Sequence, residues 1–273
     1  MEVRDWQGRT GESWAAEWER TDRSFGGLTE RLLTRSRDFP YRRAVDIGCG
    51  AGELSLALAR GRPHSTVVGI DISPALIAVA QQRGGRLGNV RFVEADAASW
   101  RPNGTSPELV VSRHGVMFFD DPRAAFAHMA GYASEHANLL FSCFRDPAEC
   151  PIFTEVADQL PLDEGPPPDP HAPGPFAFAD RDYVRDILAD AGWSGVDFEA
   201  VDFAMIAGAG EDPVADAVAY WSSIGPASMR LAEMNDVVRQ ESIVRLREVA
   251  RRNLRDGVVA LKAAAWIVSA RKA

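Results

Sequence analysis

Short apolar runs alternate with amphipathic stretches between residues 44 and 145. The runs have the length and aliphatic content of strands, and they lie at residues 44–47, 66–70, 91–95, 109–112 and 138–144. Helical segments fall between them, at residues 54–59, 74–83 and 122–133. This alternation is typical of an α/β fold with a parallel sheet and right-handed crossovers. The consecutive apolar residues Leu139, Leu140 and Phe141 predict a fifth strand covered on both faces.

The regular alternation ends after Arg145. A short helix at residues 152–159 precedes a proline-rich stretch that cannot form a central strand: Pro161, Pro166, Pro167, Pro168, Pro170, Pro173 and Pro175. Next come a helix at 180–191, with Asp180 as its cap and Gly192 as its stop, and a strand at 196–207. Helices at 213–224 and 235–254 and a last strand at 258–270 follow. We expect two insertions, at about 146–180 and 208–256, to form a helical and proline-rich cap over the carboxyl edge of the sheet.

A glycine-rich loop follows the first strand. Residues 45–53 read Val-Asp-Ile-Gly-Cys-Gly-Ala-Gly-Glu, with glycines at alternate positions. Residues without a Cβ let the backbone approach a ligand closely where a strand turns into a helix. A dinucleotide-binding fingerprint would require its third glycine at position 53, where Glu53 stands, and this spacing argues against a NAD-dependent oxidoreductase.

The pattern Asp-x-Gly-x-Gly-x-Gly, from Asp46 to Gly52, resembles motif I of class I S-adenosylmethionine-dependent methyltransferases. The second strand ends in Asp71, 19 residues beyond Gly52, where a carboxylate can accept both ribose hydroxyls of an adenosine. The resemblance is close over about residues 42–145 and holds elsewhere in outline. It implies a Rossmann-like, seven-stranded, mostly parallel sheet whose last strand inserts antiparallel between the fifth and the sixth.

The resemblance also implies a site for S-adenosylmethionine. The glycines would lie under the methionine part, Asp46 would order the loop, Asp71 would bind the ribose, and Ile72 would pack on the adenine. Asp96 and Ala97 would contact the adenine amino edge, and Arg113 would pair with the cofactor carboxylate or an acidic substrate. The predicted cofactor residues are Asp46, Gly48, Cys49, Gly50, Gly52, Asp71, Ile72, Asp96, Ala97 and Arg113.

The amino-terminal residues 1–39 are predicted to be helical and to carry an aromatic stripe of Trp6, Trp14, Trp18 and Phe25. Trp14 and Trp18 are four residues apart and would share one helix face. Two interpretations stay open. The segment packs on the core through its tryptophans, or it forms a lid over the cofactor mouth of a methyltransferase domain at residues 40–273.

His114 is the candidate general base, because it follows the fourth strand, near the expected position of the transferring methyl group. An ordinary histidine pKa near ~6.5 suits proton abstraction at neutral pH. The alternative is that His114 lines an apolar pocket, and His171 is a weaker second candidate. Asp120 and Asp121 precede Pro122, which indicates a helix start rather than a metal site.

The aromatic residues near the predicted cap favour a small, fairly apolar acceptor that is methylated on oxygen or carbon without a metal: Phe118, Phe119, Phe144, Phe153, Phe176, Phe178 and Trp221. Such acceptors belong to the quinone- and natural-product-modifying branch that the chain resembles. One alternative is a carboxylate methyltransferase acting on a peptide or small acid held by Arg113. Another is a cofactor-binding partner subunit without catalysis.

Composition narrows the function classes. The chain has 273 residues, 46% hydrophobic and 25% charged, and a formal net charge of −9. An acidic surface repels phosphate backbones, which disfavours a nucleic-acid-binding protein. No apolar run reaches the ~20 residues of a membrane span, and the start lacks the pattern of a signal peptide. Three cysteines without metal-ligand spacing favour a cytoplasmic protein, and the arginine bias suggests a GC-rich bacterial genome. Oligomeric state stays open, with a homodimer as one alternative.

Overall fold

One mixed sheet organises the molecule, for which a computed structural model describes residues 3–161 and 169–273. The strands in this part of the chain are β1 Arg43–Ile47, β2 Thr66–Asp71, β3 Val90–Glu94, β4 Leu109–Arg113, β5 Asn138–Phe144, β6 Trp193–Gly208, β7 Leu254–Arg255 and β8 Val258–Lys272. Their order across the sheet is β3-β2-β1-β4-β5-β8-β6, and β7 pairs only with β8.

The strand directions confirm the predicted Rossmann-like topology. Strands β1 to β5 pair in parallel, whereas β8 pairs antiparallel with β5 on one side and with β6 on the other. The predicted insertion of the last long strand between the fifth and the sixth is therefore confirmed. Leu139, Leu140 and Phe141 are fully buried, as expected for a strand covered on both faces.

Helices connect and cover the strands. Within the described residues they are α1 Val3–Gln7, α2 Arg9–Ala16, α3 Trp18–Ser36, α4 Glu53–Gly61, α5 Pro74–Gly84, α6 Pro122–Tyr132, α7 Pro151–Ala157, α8 Arg181–Asp190, α9 Pro213–Ser223, α10 Gly225–Glu233 and α11 Asp236–Arg252. The predicted helix starts are confirmed at their caps. Asp121 accepts from the Ala124 amide at 2.9 Å, and Asp180 accepts from the Asp182 amide at 2.8 Å. No helix in residues 3–161 and 169–273 is long and apolar enough to cross a membrane.

Three details of the sequence prediction differ from the structure. Trp14 and Trp18 lie in separate helices, because the helix breaks at Glu17, whose backbone ψ is 17°, but both pack against the same apolar cluster of Ala15, Ala51 and Leu76. Helix α10 lies where no element was predicted, and the two-residue strand β7 was also missed. Pro166, Pro167 and Pro168 of the predicted proline-rich cap lie outside the described residues.

Helix α3 is fixed along the edge strand β6. Arg20 and Arg23 both pair with Asp216 of α9 at 2.7 Å, and Arg31 pairs with Glu199 of β6 at 2.5 Å. Asp216 also accepts from the Ala209 amide at 3.0 Å. These bonds join the amino-terminal segment to the sheet and to the second insertion.

Candidate active site

The glycine loop leaves β1 and enters α4 with left-handed backbone at each glycine. Gly48, Gly50 and Gly52 have φ values of 62°, 54° and 88°, a region that other residues rarely adopt. A Cβ on Gly48 would lie 2.8 Å from the Cα of Gly115, whereas one on Gly50 would meet nothing within 4 Å. The loop therefore packs tightly at its first glycine and leaves open space at its middle one.

Asp71 is fixed against this loop at the end of β2. Its Oδ2 accepts from the Gly50 amide at 2.8 Å, and its Oδ1 accepts from the Ser73 amide at 2.9 Å. Burial raises the pKa of Asp71, and these two amide hydrogen bonds oppose the rise. Each carboxylate oxygen keeps a second lone pair for another donor, so the side chain can still accept from a pair of hydroxyls.

Asp46 lies at the base of the loop and is 1% exposed. Its Oδ2 accepts from Ser55 Oγ at 2.6 Å, but Oδ1 is buried without a partner among the described residues. Burial raises the pKa of Asp46 to about 7. The side chain can thus hold a proton near neutral pH, and its free oxygen is available to a donor at the loop.

The predicted adenine-binding residues follow β2 and β3. Asp71 pairs with Glu94 across these strands, and the Ala95 amide donates to the Asp71 carbonyl at 2.9 Å. Asp96, Ala97 and the half-buried Ile72 therefore all follow the carboxyl ends of these two paired strands. Asp96 Oδ1 accepts from the Ala98 amide at 2.8 Å and so closes a turn. These roles stay predictions.

Cys49 fills the apolar side of the loop. Its thiol is buried with Leu56, Ile77, Ala80 and Phe92. Burial raises the pKa of this thiol well above its ordinary value. A buried, protonated thiol is inert, so the Cys49 thiol serves packing, and the predicted contact of this residue with the cofactor stays a prediction.

Arg113 ends β4 and faces helices α3 and α4. Its Nη1 donates to Thr29 Oγ1 at 2.8 Å and forms an ion pair with Glu53, and its guanidinium lies 5.1 Å from the Phe25 ring centre. Burial lowers the pKa of Arg113, and the charges of Asp22 and Asp46 oppose the decrease. The predicted contact with a cofactor carboxylate stays a prediction, and Glu53 already balances the arginine charge. Neither partner of Arg113 was predicted from the sequence.

His114 follows Arg113 in the left-handed region, with φ at 64°. Its ring stacks on Phe144 at 4.2 Å and meets Phe25 edge-on at 5.3 Å, and Nδ1 lies 3.3 Å from Ser142 Oγ. Nε2 is buried without a partner among the described residues. Burial and the Arg113 charge lower the pKa of His114 to about 3, so the imidazole is neutral at pH 7 and weakly basic. His171 instead stacks on Tyr183 at 3.8 Å.

Five of the seven predicted aromatic residues fall into two sets, and Phe118 and Trp221 belong to neither. Phe153 and Phe176 contact Phe144 at 4.9 and 5.9 Å, and they extend the aromatic wall beside His114. Phe119 and Phe178 pack on Phe126 in the core instead. The first set can enclose an apolar molecule near the carboxyl ends of β4 and β5.

Helices α1 and α2 lie over the start of α5. A Cβ on Gly11 would overlap Ser73 Oγ, and Ala15 packs with Ala51 of the glycine loop and Leu76 of α5. Trp6 contacts Phe118 at 5.2 Å. Further along, Arg83 donates to the Ala51 carbonyl at 2.6 Å and pairs with Asp22 at 2.5 Å. The amino-terminal segment therefore covers the loop, and neither Gly11 nor Arg83 was singled out from the sequence.

Part of this chain is similar in sequence to known methyltransferases. A family model described as a methyltransferase domain matches residues 44–134. Malonyl-[acyl-carrier protein] O-methyltransferase of Paenibacillus sp. (strain JDR-2) is 30% identical over 106 residues, 37% of this chain and 38% of the relative. Trans-aconitate 2-methyltransferase of Klebsiella pneumoniae (strain 342) is 28% identical over 134 residues, 48% of this chain and 51% of the relative. The matches thus span only about four-tenths to half of these curated relatives.

One solved structure has a similar fold over most of this chain. The YcgJ protein of Bacillus subtilis superposes with a TM-score of 0.58 at 15% identity, and the match covers 88% of this chain and 97% of that one. The residues at the loop also fit S-adenosylmethionine, because the Asp71 carboxylate can still accept hydrogen bonds and the space next to Gly50 is open. Residues 44–134 thus match a methyltransferase domain, and the sheet order and the glycine loop around them are those of the class I S-adenosylmethionine-dependent methyltransferase fold.

Proposed function

We propose that this protein transfers the methyl group of S-adenosylmethionine to a small acceptor. The observation that carries the proposal is the hydrogen bond from the Gly50 amide to Asp71 Oδ2, at 2.8 Å. It holds the open middle of the glycine loop and the carboxylate at the end of β2 in one place. A nucleoside bound there would meet the loop backbone and the carboxylate together.

The chain's residues would bind and orient the two reactants. Asp71 would accept from the ribose hydroxyls, and the loop amides would face the methionine part. When bound, the cofactor would supply a methyl group on positive sulfur; the acceptor would take this group and lose a proton, and S-adenosylhomocysteine would remain. Helices α1 and α2 would exclude water from the reacting atoms.

The acceptor that the site favours is small and fairly apolar, and it is methylated on oxygen or carbon. Phe144, Phe153 and Phe176 form an aromatic wall next to His114. The only charged side chain adjacent to His114 in sequence, Arg113, is balanced by Glu53. An uncharged molecule therefore loses less hydration energy there than an ion does.

The second candidate is methylation of a carboxylate. The names of the two relatives state that they methylate malonyl-[acyl-carrier protein] and trans-aconitate. Both of these substrates have a free carboxylate that can accept a methyl group. Arg113 would have to exchange Glu53 for such a substrate. A partner subunit that binds the cofactor without turnover is the third candidate, because a neutral His114 is a weak base.

Titration calorimetry with S-adenosylhomocysteine and, separately, NADH tests the cofactor. We expect the first to bind and the second not to bind. Turnover is then measured with methyl-labelled S-adenosylmethionine on phenols, hydroquinones and carboxylic acids. Binding of NADH alone would contradict the proposal, and binding of S-adenosylhomocysteine without any methylated product would favour the partner subunit.

We also propose that the protein works in a reducing compartment such as the cytoplasm. Cys49, Cys143 and Cys150 are all free and buried. Thiols of this kind persist where disulfides do not form.

A further inference from the structure

The buried Nε2 of His114 is a polar atom that the proposed binding of the cofactor does not use. It has no hydrogen-bond partner among the described residues, and the whole residue is 8% exposed. A buried polar nitrogen without a partner destabilises a fold, because it loses water and gains nothing in exchange. Such an atom at the carboxyl edge of the sheet can form one further hydrogen bond with a bound molecule.

The surrounding structure holds this imidazole in one orientation. The His114 amide donates to the Ser142 carbonyl at 3.2 Å, and Ser142 Oγ lies 3.3 Å from Nδ1. The ring is confined by Phe144 on its face and Phe25 at its edge. Left-handed backbone at a residue other than glycine is strained and persists where packing enforces it. The position of Nε2 is thus built into the fold.

His114 also adjoins the cofactor loop. The next residue, Gly115, approaches Gly48 so closely that a Cβ on Gly115 would lie 2.9 Å from the Gly48 Cα. His114 therefore lies between Gly115, which contacts the glycine loop, and Phe144, on which its ring stacks. A methyl acceptor has to occupy this region to reach the cofactor.

We infer that His114 and Ser142 form an uncharged hydrogen-bonding pair whose free Nε2 recognises an uncharged oxygen, phenolic or carbonyl, on an aromatic acceptor. His114 is then a specificity-determining residue and not the general base. This inference rests on the proposed function, and it names the class of substrate: neutral, aromatic and oxygen-bearing.

The charges around the site support an uncharged ligand. Arg113 is the charged neighbour of His114 and pairs with Glu53 of α4, while Asp22 of α3, Asp46 of β1 and Tyr220 of α9 act on that arginine. No ion pair reaches His114 itself among the described residues. Burial and Arg113 keep the imidazole neutral, so it offers an anion no opposite charge.

The test compares two probes with the same naphthalene ring, 2-naphthol and 2-naphthoate, on the full chain saturated with S-adenosylhomocysteine. Calorimetry measures both affinities at pH 7, where the first is neutral and the second is ionised. We expect 2-naphthol to bind at least about tenfold more tightly, the scale of one buried hydrogen bond together with an unpaired charge. Equal or tighter binding of 2-naphthoate, or no binding of 2-naphthol, would overturn the inference.

Variants assign the preference to the imidazole. His114→Phe keeps a planar ring without Nε2 and should lower 2-naphthol affinity about tenfold while 2-naphthoate affinity stays unchanged. Ser142→Ala should give a smaller loss, and the ¹⁵N imidazole signals of its His114 should show mixed tautomers instead of one. Tyr132→Phe is the matched control, because the Tyr132 hydroxyl is also buried without a partner but lies at the carboxyl end of α6.

The failure of the inference is separable from that of the proposed function. S-adenosylhomocysteine affinity is measured for each variant and reports the cofactor site and correct folding. Retained cofactor affinity with no loss of 2-naphthol affinity in His114→Phe would overturn the recognition by Nε2 alone. If the unmodified chain did not bind S-adenosylhomocysteine, that result would instead contradict the proposed function.

Discussion

Gly11 of α2 lies directly on Ser73 at the start of α5, so closely that a Cβ on the glycine would overlap the serine hydroxyl. Ser73 is two residues beyond Asp71 and donates its amide to that carboxylate at 2.9 Å. The contact therefore joins the amino-terminal cover to the predicted ribose-binding residue. The bonds of α3 to β6 and α9 have a separate consequence. If the amino-terminal segment forms a lid, that lid consists of helices α1 and α2.

Gly11→Ala should displace α2 from the glycine loop. Gly26→Ala is the control, since a Cβ on Gly26 of α3 would meet nothing within 4 Å. Alanine in an open helix position stabilises by about 0.5–1 kcal/mol, so Gly26→Ala should raise the midpoint of thermal unfolding, whereas Gly11→Ala should lower it. Equal shifts in differential scanning calorimetry would contradict a tight contact at Gly11.

Asp71→Asn should weaken S-adenosylhomocysteine binding by roughly 1–3 kcal/mol, the scale for losing a charge-assisted hydrogen-bond partner. The amide keeps the shape of the side chain but carries no charge. Asp212→Asn serves as the control, because Asp212 caps α9 at an exposed position and asparagine caps equally well. Unchanged calorimetric affinity in Asp71→Asn would rule out the ribose assignment.

The pKa values of His114 and Asp46 give opposite dependences of stability on pH. The pKa of His114 is lowered from 6.5 to about 3, so the unfolded chain binds the extra proton and stability from this group falls as the pH drops below 6.5. The pKa of Asp46 is raised from 3.8 to about 7, so the folded chain holds the proton and stability from this group falls as the pH rises from 3.8 to 7. Between pH 4 and 6.5 the two slopes oppose each other, at up to about 1.4 kcal/mol per pH unit each.

Single variants should separate these two slopes. Asp46→Asn leaves the histidine, so its unfolding free energy should rise with pH more steeply than that of the unmodified chain. His114→Phe leaves the aspartate, so the unfolding free energy of this variant should fall as the pH rises, relative to that of the unmodified chain. Urea unfolding at pH 4.5, 5.5 and 6.5 measures both. Parallel curves for all three proteins would show that neither pKa is shifted.

Glu53→Gln should leave the Arg113 charge without its partner. Their side chains are 20% and 16% exposed, and breaking so enclosed a pair should cost about 2–3 kcal/mol of unfolding free energy, somewhat less than for full burial. Glu248→Gln breaks the pair with Arg251, whose side chains are 54% and 58% exposed, and should cost below about 1 kcal/mol. Denaturant titrations that give equal losses for the two variants would contradict an enclosed pair at Arg113.

The sheet and the glycine loop could be predicted because their signals are local. Each strand from β1 to β5 carries its own apolar run, and three glycines at alternate positions suit left-handed φ. Helix α10 could have been found from Pro226 at its first turn. The two residues of β7, in contrast, are too few to carry a pattern.

The partners of the site residues could not be predicted, because they depend on packing between distant segments. Thr29 meets Arg113 across 84 residues of chain, and His114 meets Ser142 across 28. The general-base hypothesis relied on the ordinary histidine pKa. Only the tertiary structure, which encloses the imidazole beside Arg113 and Phe144, shows how far burial lowers that pKa.

The position of β8 also orders events during synthesis of the chain. Strands β5 and β6 do not pair with each other: the second edge of β5, and β6 itself, can pair only with β8, when residues 258–272 have left the ribosome. The parallel strands that carry the glycine loop and Asp71 can pair earlier, since their partners all precede residue 145. A nascent chain could therefore acquire its nucleotide-binding half first, and the exposed edge of β5 would remain open to wrong partners until the final strand arrives.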